Sequence, residues 1–184
     1  MFCFSDTTTT TAEKPPQTTT QATTTTTQAT TTTSIPAVIT QPPVITTPSN
    51  LERVGFSVGL SKTLPLDFIE MIHYDRVFMN VGNGYDVNRG SFVVPVPGVY
   101  LFYFSALNKP GHNAYIELVQ NGVRLAIIKL GDTDYNMGSQ IVMAYVGRGD
   151  LIWVRNASSA GPILYGNANE QYNTFSGFLL YKSY

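Results

Sequence analysis

Between residues 51 and 184 the chain alternates short runs of β-branched and aromatic residues with clusters of turn formers. The runs are Phe56 to Leu60, Ile69 to Asn80, Ser91 to Val96, Val99 to Leu107, Ala114 to Gln120, Val123 to Leu130, Gln140 to Val146, Leu151 to Arg155 and Thr174 to Tyr181. Between them stand Gly82, Asn83, Gly84, Pro97, Gly98, Pro110, Gly111, Gly147, Gly149 and Gly161. Runs of this length bounded by Gly, Pro and Asn read as strands, and no window carries a helical period. Asn121 and Gly122 sit between two alternating runs and predict a tight hairpin, because a two-residue turn of that hand needs positive φ at both central positions. The expected class is all-β, a sandwich or barrel.

Two runs break the rule that one face of a sandwich strand is wet. Tyr100, Phe102 and Phe104 share one face, yet Val99, Leu101 and Tyr103 on the other are apolar as well. The last run repeats this, with Phe175, Leu179 and Tyr181 opposed to Phe178 and Leu180. Either the sheet is sunk in a thick core or a second copy of the chain covers its outer face. Composition bears on the choice: only 12% of the residues are charged, about half the usual share, and oligomer interfaces are depleted in charge. A homo-oligomer is the simpler account. Tyr100, Phe102, Phe104, Phe175 and Phe178 are the aromatic residues expected to build its core and interface.

The first fifty residues are different in kind. Residues 6–50 are runs of Thr with Gln, Ala and Pro, too poor in apolar side chains to offset the cost of ordering a chain, so they are expected to be disordered. Thr with Pro is also the composition of an O-glycosylated, mucin-like stalk, and equally of an unmodified spacer. Residues 1–5 hold three apolar side chains, with Cys3 and Ser5 at a spacing that suits signal peptidase, and are read as the remnant of a signal peptide. Asn156, Ala157 and Ser158 form a sequon, which makes Asn156 the expected N-glycosylation site. Together these point to a secreted, extracellular glycoprotein.

Charge and chemistry narrow the function. A net charge of -1 without basic clusters leaves no footprint for nucleic acid or an anionic membrane, and no apolar run is long enough to span a bilayer. One cysteine excludes a disulfide framework. His73 and His112 have no second ligand at metal spacing, and no nucleophile elbow is present, so no enzyme is predicted.

The run Asn80, Tyr85, Phe92, Gly98, Tyr100, Phe102, Phe104 resembles the signature of the globular head domain of complement C1q, related in fold to tumour necrosis factor. Phe56 to Leu60, Tyr74 to Val77, Pro95 to Tyr100, Gly149 and Asp150 before Trp153, and Thr174 to Tyr181 extend the resemblance over residues 51–184. The signature opens on Phe where this chain has Tyr74, a change of one hydroxyl, and the collagen repeats common in the family are absent from this sequence. The resemblance implies a ten-stranded jelly roll, a homotrimer, no catalysis, and ligand binding by surface loops. It also admits calcium as the one cofactor to consider. Asp132, Asp134 and Asn136 place oxygens at alternate positions, the cadence of a cation loop and equally of an Asx turn. Tyr165, Asn167, Asn169 and Tyr172 mix aromatic faces with amides, which suits a sugar as well as any solvated loop. The expected function is a secreted, lectin-like recognition module of innate immunity that binds carbohydrate or microbial surfaces. A receptor-binding signalling ligand and a structural component of matrix or mucus are its rivals.

Overall fold

The computed structural model describes residues 53–183. The expected signal remnant at 1–5 and the Thr-rich segment at 6–50 lie outside the described residues. Twelve strands occur among them: β1 Gly55–Gly59, β2 Leu64–Pro65, β3 Arg76–Val81, β4 Tyr85–Asp86, β5 Ser91–Val93, β6 Gly98–Asn108, β7 Ala114–Gln120, β8 Val123–Leu130, β9 Asn136–Val146, β10 Leu151–Asn156, β11 Ile163–Leu164 and β12 Thr174–Lys182. They form two antiparallel sheets. One runs β2-β11-β6-β12-β1-β3 with β9 also paired to β6, and the other runs β4-β5-β10-β7-β8. The architecture is the expected all-β, jelly-roll-like sandwich. Ten strands make the roll, while β2 and β11, two residues each, pair with one another at one end of β6.

The core lies between the sheets. Phe56, Tyr100, Phe102, Phe104 and Phe175 enter it from the first sheet, and Phe92, Ile116, Leu118, Ile152 and Val154 from the second. Ring stacking orders the centre: Phe56 lies 4.5 Å from Phe92 and meets Phe175 edge-on at 4.7 Å. Gly177 is required beneath this group, since a Cβ there would come within 2.7 Å of both Phe56 and Phe102. Asn80 closes the β3–β4 turn as a mock strand, donating to the Tyr85 carbonyl at 2.9 Å and accepting from its N–H at 3.0 Å. Asn121 and Gly122 make the predicted hairpin between β7 and β8, with φ of 50° and 89°. Asp150 gathers that end of the sandwich by accepting from Asn121, Gln120 and the Gly147 N–H. These bonds, the one from Asn121 foremost, hold its carboxyl below the usual range.

Three expectations are corrected. Ile69 to Asn80 is not one strand: Ile69 has φ 63°, a left-handed value that breaks any ladder, and Ile72 N–H donates to Val154 of the second sheet before the chain crosses to β3 in the first. Ile72 and Tyr74 are nonetheless buried on either side of exposed His73, so the period of two records burial, with one isolated bridge from Met71 to Arg155 in place of a strand. The strand expected over Gln140 to Val146 begins at Asn136, because pairing along β6 continues through residues whose side chains are exposed. Finally, a bulge between Leu179 and Tyr181 turns Tyr181 out of the core face, where Phe175 remains.

Two changes probe this core. Phe102→Ala is expected to cost about 3–5 kcal/mol in denaturant unfolding, as a large buried ring is deleted from close packing. Tyr74→Phe is expected to stabilise the domain by about 1 kcal/mol, because the fully buried Tyr74 hydroxyl has no hydrogen-bond partner among the described residues. A loss of stability in the second variant would mean that the hydroxyl is satisfied.

Candidate functional site

Two surfaces stand out, the outer face of the seven-stranded sheet and the loops at one end of the sandwich. On the sheet, strand register sets side chains in rows. Val81, Gly55, Phe178, Leu101 and Met143 form one row, and Met79, Ser57, Ser176, Tyr103 and Ile141 the next. Tyr181, Val99 and Tyr145 follow. The face is apolar and open: Met143 is 68% exposed, Tyr181 63% and Ile141 61%. The thick-core reading of the second face of β6 is therefore corrected, since Val99, Leu101 and Tyr103 are only half-buried and their row neighbours Ile141, Met143, Tyr145, Phe178 and Tyr181 are exposed. Of the five aromatics singled out in the sequence, Tyr100, Phe102, Phe104 and Phe175 belong to the core, and Phe178 belongs to this outer face. The sequence reading missed the contribution of β9, although Ile141, Met143 and Tyr145 carry it in plain alternation.

The loops at 109–113 and 131–135 and the segment 157–173, which carries β11, share one end: Gly111 N–H donates to the Asp132 carbonyl and Tyr165 N–H to that of Leu107, each at 2.8 Å. There Tyr135 meets Tyr165 edge-on at 5.4 Å, and Tyr165 lies 5.7 Å from Tyr172. Tyr172 donates to Glu170 Oε2 at 2.5 Å, a bond that holds the phenol above its ordinary pKa. Asn167 Nδ2 approaches the same oxygen at 3.4 Å, and Asn169 N–H donates to Asn167 Oδ1 at 2.9 Å. Buried Asn173 anchors the base of the loop, donating to the Tyr165 carbonyl at 2.6 Å and accepting from Leu107 N–H at 2.8 Å. Tyr165, Asn167, Asn169 and Tyr172 thus lie in one hydrogen-bonded loop. Tyr135 and Glu170 join them from positions that the pattern did not mark.

The loop expected to hold a cation spends its oxygens locally. Asn136 Oδ1 accepts from Gly131 N–H at 3.2 Å, Asp134 Oδ1 from Tyr135 N–H at 2.7 Å, and Asp132 Oδ2 from Asn113 Nδ2 at 3.4 Å. Among the described residues no group of three His, Cys, Asp or Glu side chains converges on a metal position. The asparagine expected to carry a glycan has an enclosed amide. Asn156 is fully buried, its Nδ2 donates to the Asp67 and Ser158 carbonyls at 2.8 Å each, and its Oδ1 accepts from Ser158 N–H at 2.8 Å. Both amide hydrogens are used, so no sugar can replace one in the folded domain.

The two-sheet sandwich, with an apolar outer face and polar loop end, has the fold of the C1q and tumour necrosis factor globular domains. The globular domain of zebrafish complement 1qA superposes with a TM-score of 0.59 at 20% identity, covering 71% of this chain and 99% of that one. Murine APRIL gives 0.56 at 15% identity over 70% and 99%, and Eiger TNF of S. frugiperda 0.52 at 14% over 72% and 94%. The C1q domain family profile matches residues 55–180, and the chain belongs to that family. Complement C1q tumor necrosis factor-related protein 2 of Mus musculus is 32% identical over 136 residues, 72% of this chain and 45% of that protein. Caprin-2 of Danio rerio is 31% identical over 147 residues, 76% of this chain and 15% of that protein. The chain therefore spans less than half the length of either relative.

Asn156→Ala is expected to cost about 2–3 kcal/mol in thermal or denaturant unfolding, since it leaves buried partners on two loops unpaired. Mass spectrometry of the peptide carrying Asn156 from secreted protein should find it without glycan. Occupancy there would contradict the buried amide.

Proposed function

We propose that the domain is a secreted, non-enzymatic homotrimeric recognition module that binds carbohydrate or microbial surfaces through its loop end. The observation that carries the reading is the open apolar face of the seven-stranded sheet. A face of Met, Ile, Phe, Tyr and Val side chains this continuous is unfavourable in water and is removed by association with copies of itself. Three copies follow from the family resemblance, and they place three loop ends on one particle. Weak single sites then gain by avidity on a repetitive surface. Tyr135, Tyr165 and Tyr172 offer ring faces to a pyranose, while Asn167, Asn169 and Glu170 offer partners for its hydroxyls. No helix among the described residues is long and apolar enough to cross a membrane.

Two experiments test the two halves of this reading. Ile141→Glu with Met143→Glu places carboxylates along the β9 side of the apolar face, at two of its most exposed positions, and desolvating an unpaired charge costs several kcal/mol. The double variant should elute as a folded monomer in light-scattering chromatography at micromolar concentration, and an unchanged oligomer would place the interface elsewhere. On a glycan array the full chain should bind sugars, and Tyr135→Ala with Tyr172→Ala should lose about tenfold, given about 0.5–1.5 kcal/mol per stacking ring. A silent array beside saturable binding to host cells would favour a receptor ligand instead, and recovery from insoluble matrix alone would favour a structural role.

A further inference from the structure

The segment between β2 and β3 presents a feature that sugar binding does not use. Phe68 is 62% exposed and Ile69 44% exposed at the tip of a loop that borders a cavity of about 330 Å³. Pro65, Leu66, Asp67, Glu70, Gly161 and Ile163 line the cavity, so apolar walls carry two carboxylates. Among the described residues neither Asp67 nor Glu70 has an ion-pair partner.

The loop is held firmly in this shape. The buried Asn156 side chain donates to the Asp67 carbonyl at 2.8 Å, and its backbone N–H donates to the Glu70 carbonyl at 2.9 Å. Asp67 N–H donates to Glu70 Oε2 at 2.6 Å, and Leu66 N–H to the Pro162 carbonyl at 3.0 Å. Ile69 is kept at φ 63°, which a β-branched residue rarely adopts, and the result is an apolar tip turned outward rather than folded into the core. A preformed loop loses little entropy when a partner closes on it.

We propose that Phe68, Ile69 and the adjoining acidic cavity form a docking site for a protein partner that presents a basic side chain, arginine foremost, beside an apolar groove. The cavity matches arginine in two ways. Its walls accept the methylene stem, and the two carboxylates that line it, with Glu70 Oε2 already held by Asp67 N–H, leave oxygens to accept guanidinium hydrogens. Phe68 supplies the aromatic anchor that the partner's groove would take, in the manner of an interface hot spot. A lipid surface is disfavoured, because the two carboxylates repel anionic headgroups. A second copy of the chain is disfavoured too, because the apolar face available for self-association is the sheet surface of β6, β9 and β12. None of the loop-end tyrosines lines this cavity, so variants at Tyr135 and Tyr172 and variants at Asp67 and Glu70 test the two sites separately.

The test uses methyl-labelled full chain titrated with acetyl-arginine amide and, as its neutral isostere, acetyl-citrulline amide. The Leu66, Ile69 and Ile163 methyl signals should shift saturably with the arginine compound and at least tenfold more weakly with the citrulline one. Asp67→Asn with Glu70→Gln should weaken the arginine response at least tenfold, with the core Ile116 and Ile152 signals reporting that the variant is folded. If that variant does not fold, 1 M salt on the wild-type chain supplies the comparison, since screening should abolish a charge-driven response. A decapeptide of alternating leucine and arginine should bind at the same signals, and Phe68→Ala should weaken it at least tenfold while leaving the acetyl-arginine amide titration unchanged. Equal responses to the two small probes, shifts confined to other methyls, or a decapeptide indifferent to Phe68 would each overturn the proposal.

Discussion

A strand has two faces, and in Gly98–Asn108 both are apolar; much of the molecule follows from that constraint. The inner face delivers Tyr100, Phe102 and Phe104 to the core, where rings of this face meet Phe175 of the adjacent β12 and Phe92 of the facing sheet. The outer face delivers Val99, Leu101 and Tyr103, and the strands on either side extend it with Phe178 and Tyr181 from β12 and with Ile141, Met143 and Tyr145 from β9. A single chain can cover only the first face. Burial of one side thus specifies the sandwich, and the other side leaves an unfavourable surface that association would remove.

Polar side chains in this domain serve mainly to fix loops. Asn80 substitutes for a strand at the β3–β4 turn, Asn173 anchors the 161–173 loop, and Asn156 joins the 67–70 loop to the end of β10. Glu117 is the one charged side chain buried outright among the described residues, and it is compensated by Arg155, whose Nε lies 3.0 Å from Oε2, and by Arg124. Loops tied to the sandwich by such bonds have their geometry set before any partner arrives.

What could be read from the sequence was what depends on local period and turn chemistry. The aromatic alternation of β6, the Asn121–Gly122 hairpin and the runs that became β1, β7, β8 and β10 all rest on neighbours in sequence. The departures depend on distant partners. A bulge opposite Val99 reverses Tyr181, and a left-handed Ile69 ends a run that looks continuous. The sequon at Asn156 has the right letters, yet its amide is enclosed by residues 67 and 158, which no short motif records. Tyr135 reaches the tyrosine cluster only because the β8–β9 crossing folds beside the 161–173 loop.

The central claim is that the outer sheet face is satisfied by copies of the same chain. Sedimentation equilibrium of the full, unmodified chain from nanomolar to micromolar concentration tests it most directly. The account predicts a particle of three times the 20.2 kDa chain mass throughout the micromolar range. A folded species of 20.2 kDa at those concentrations would contradict it.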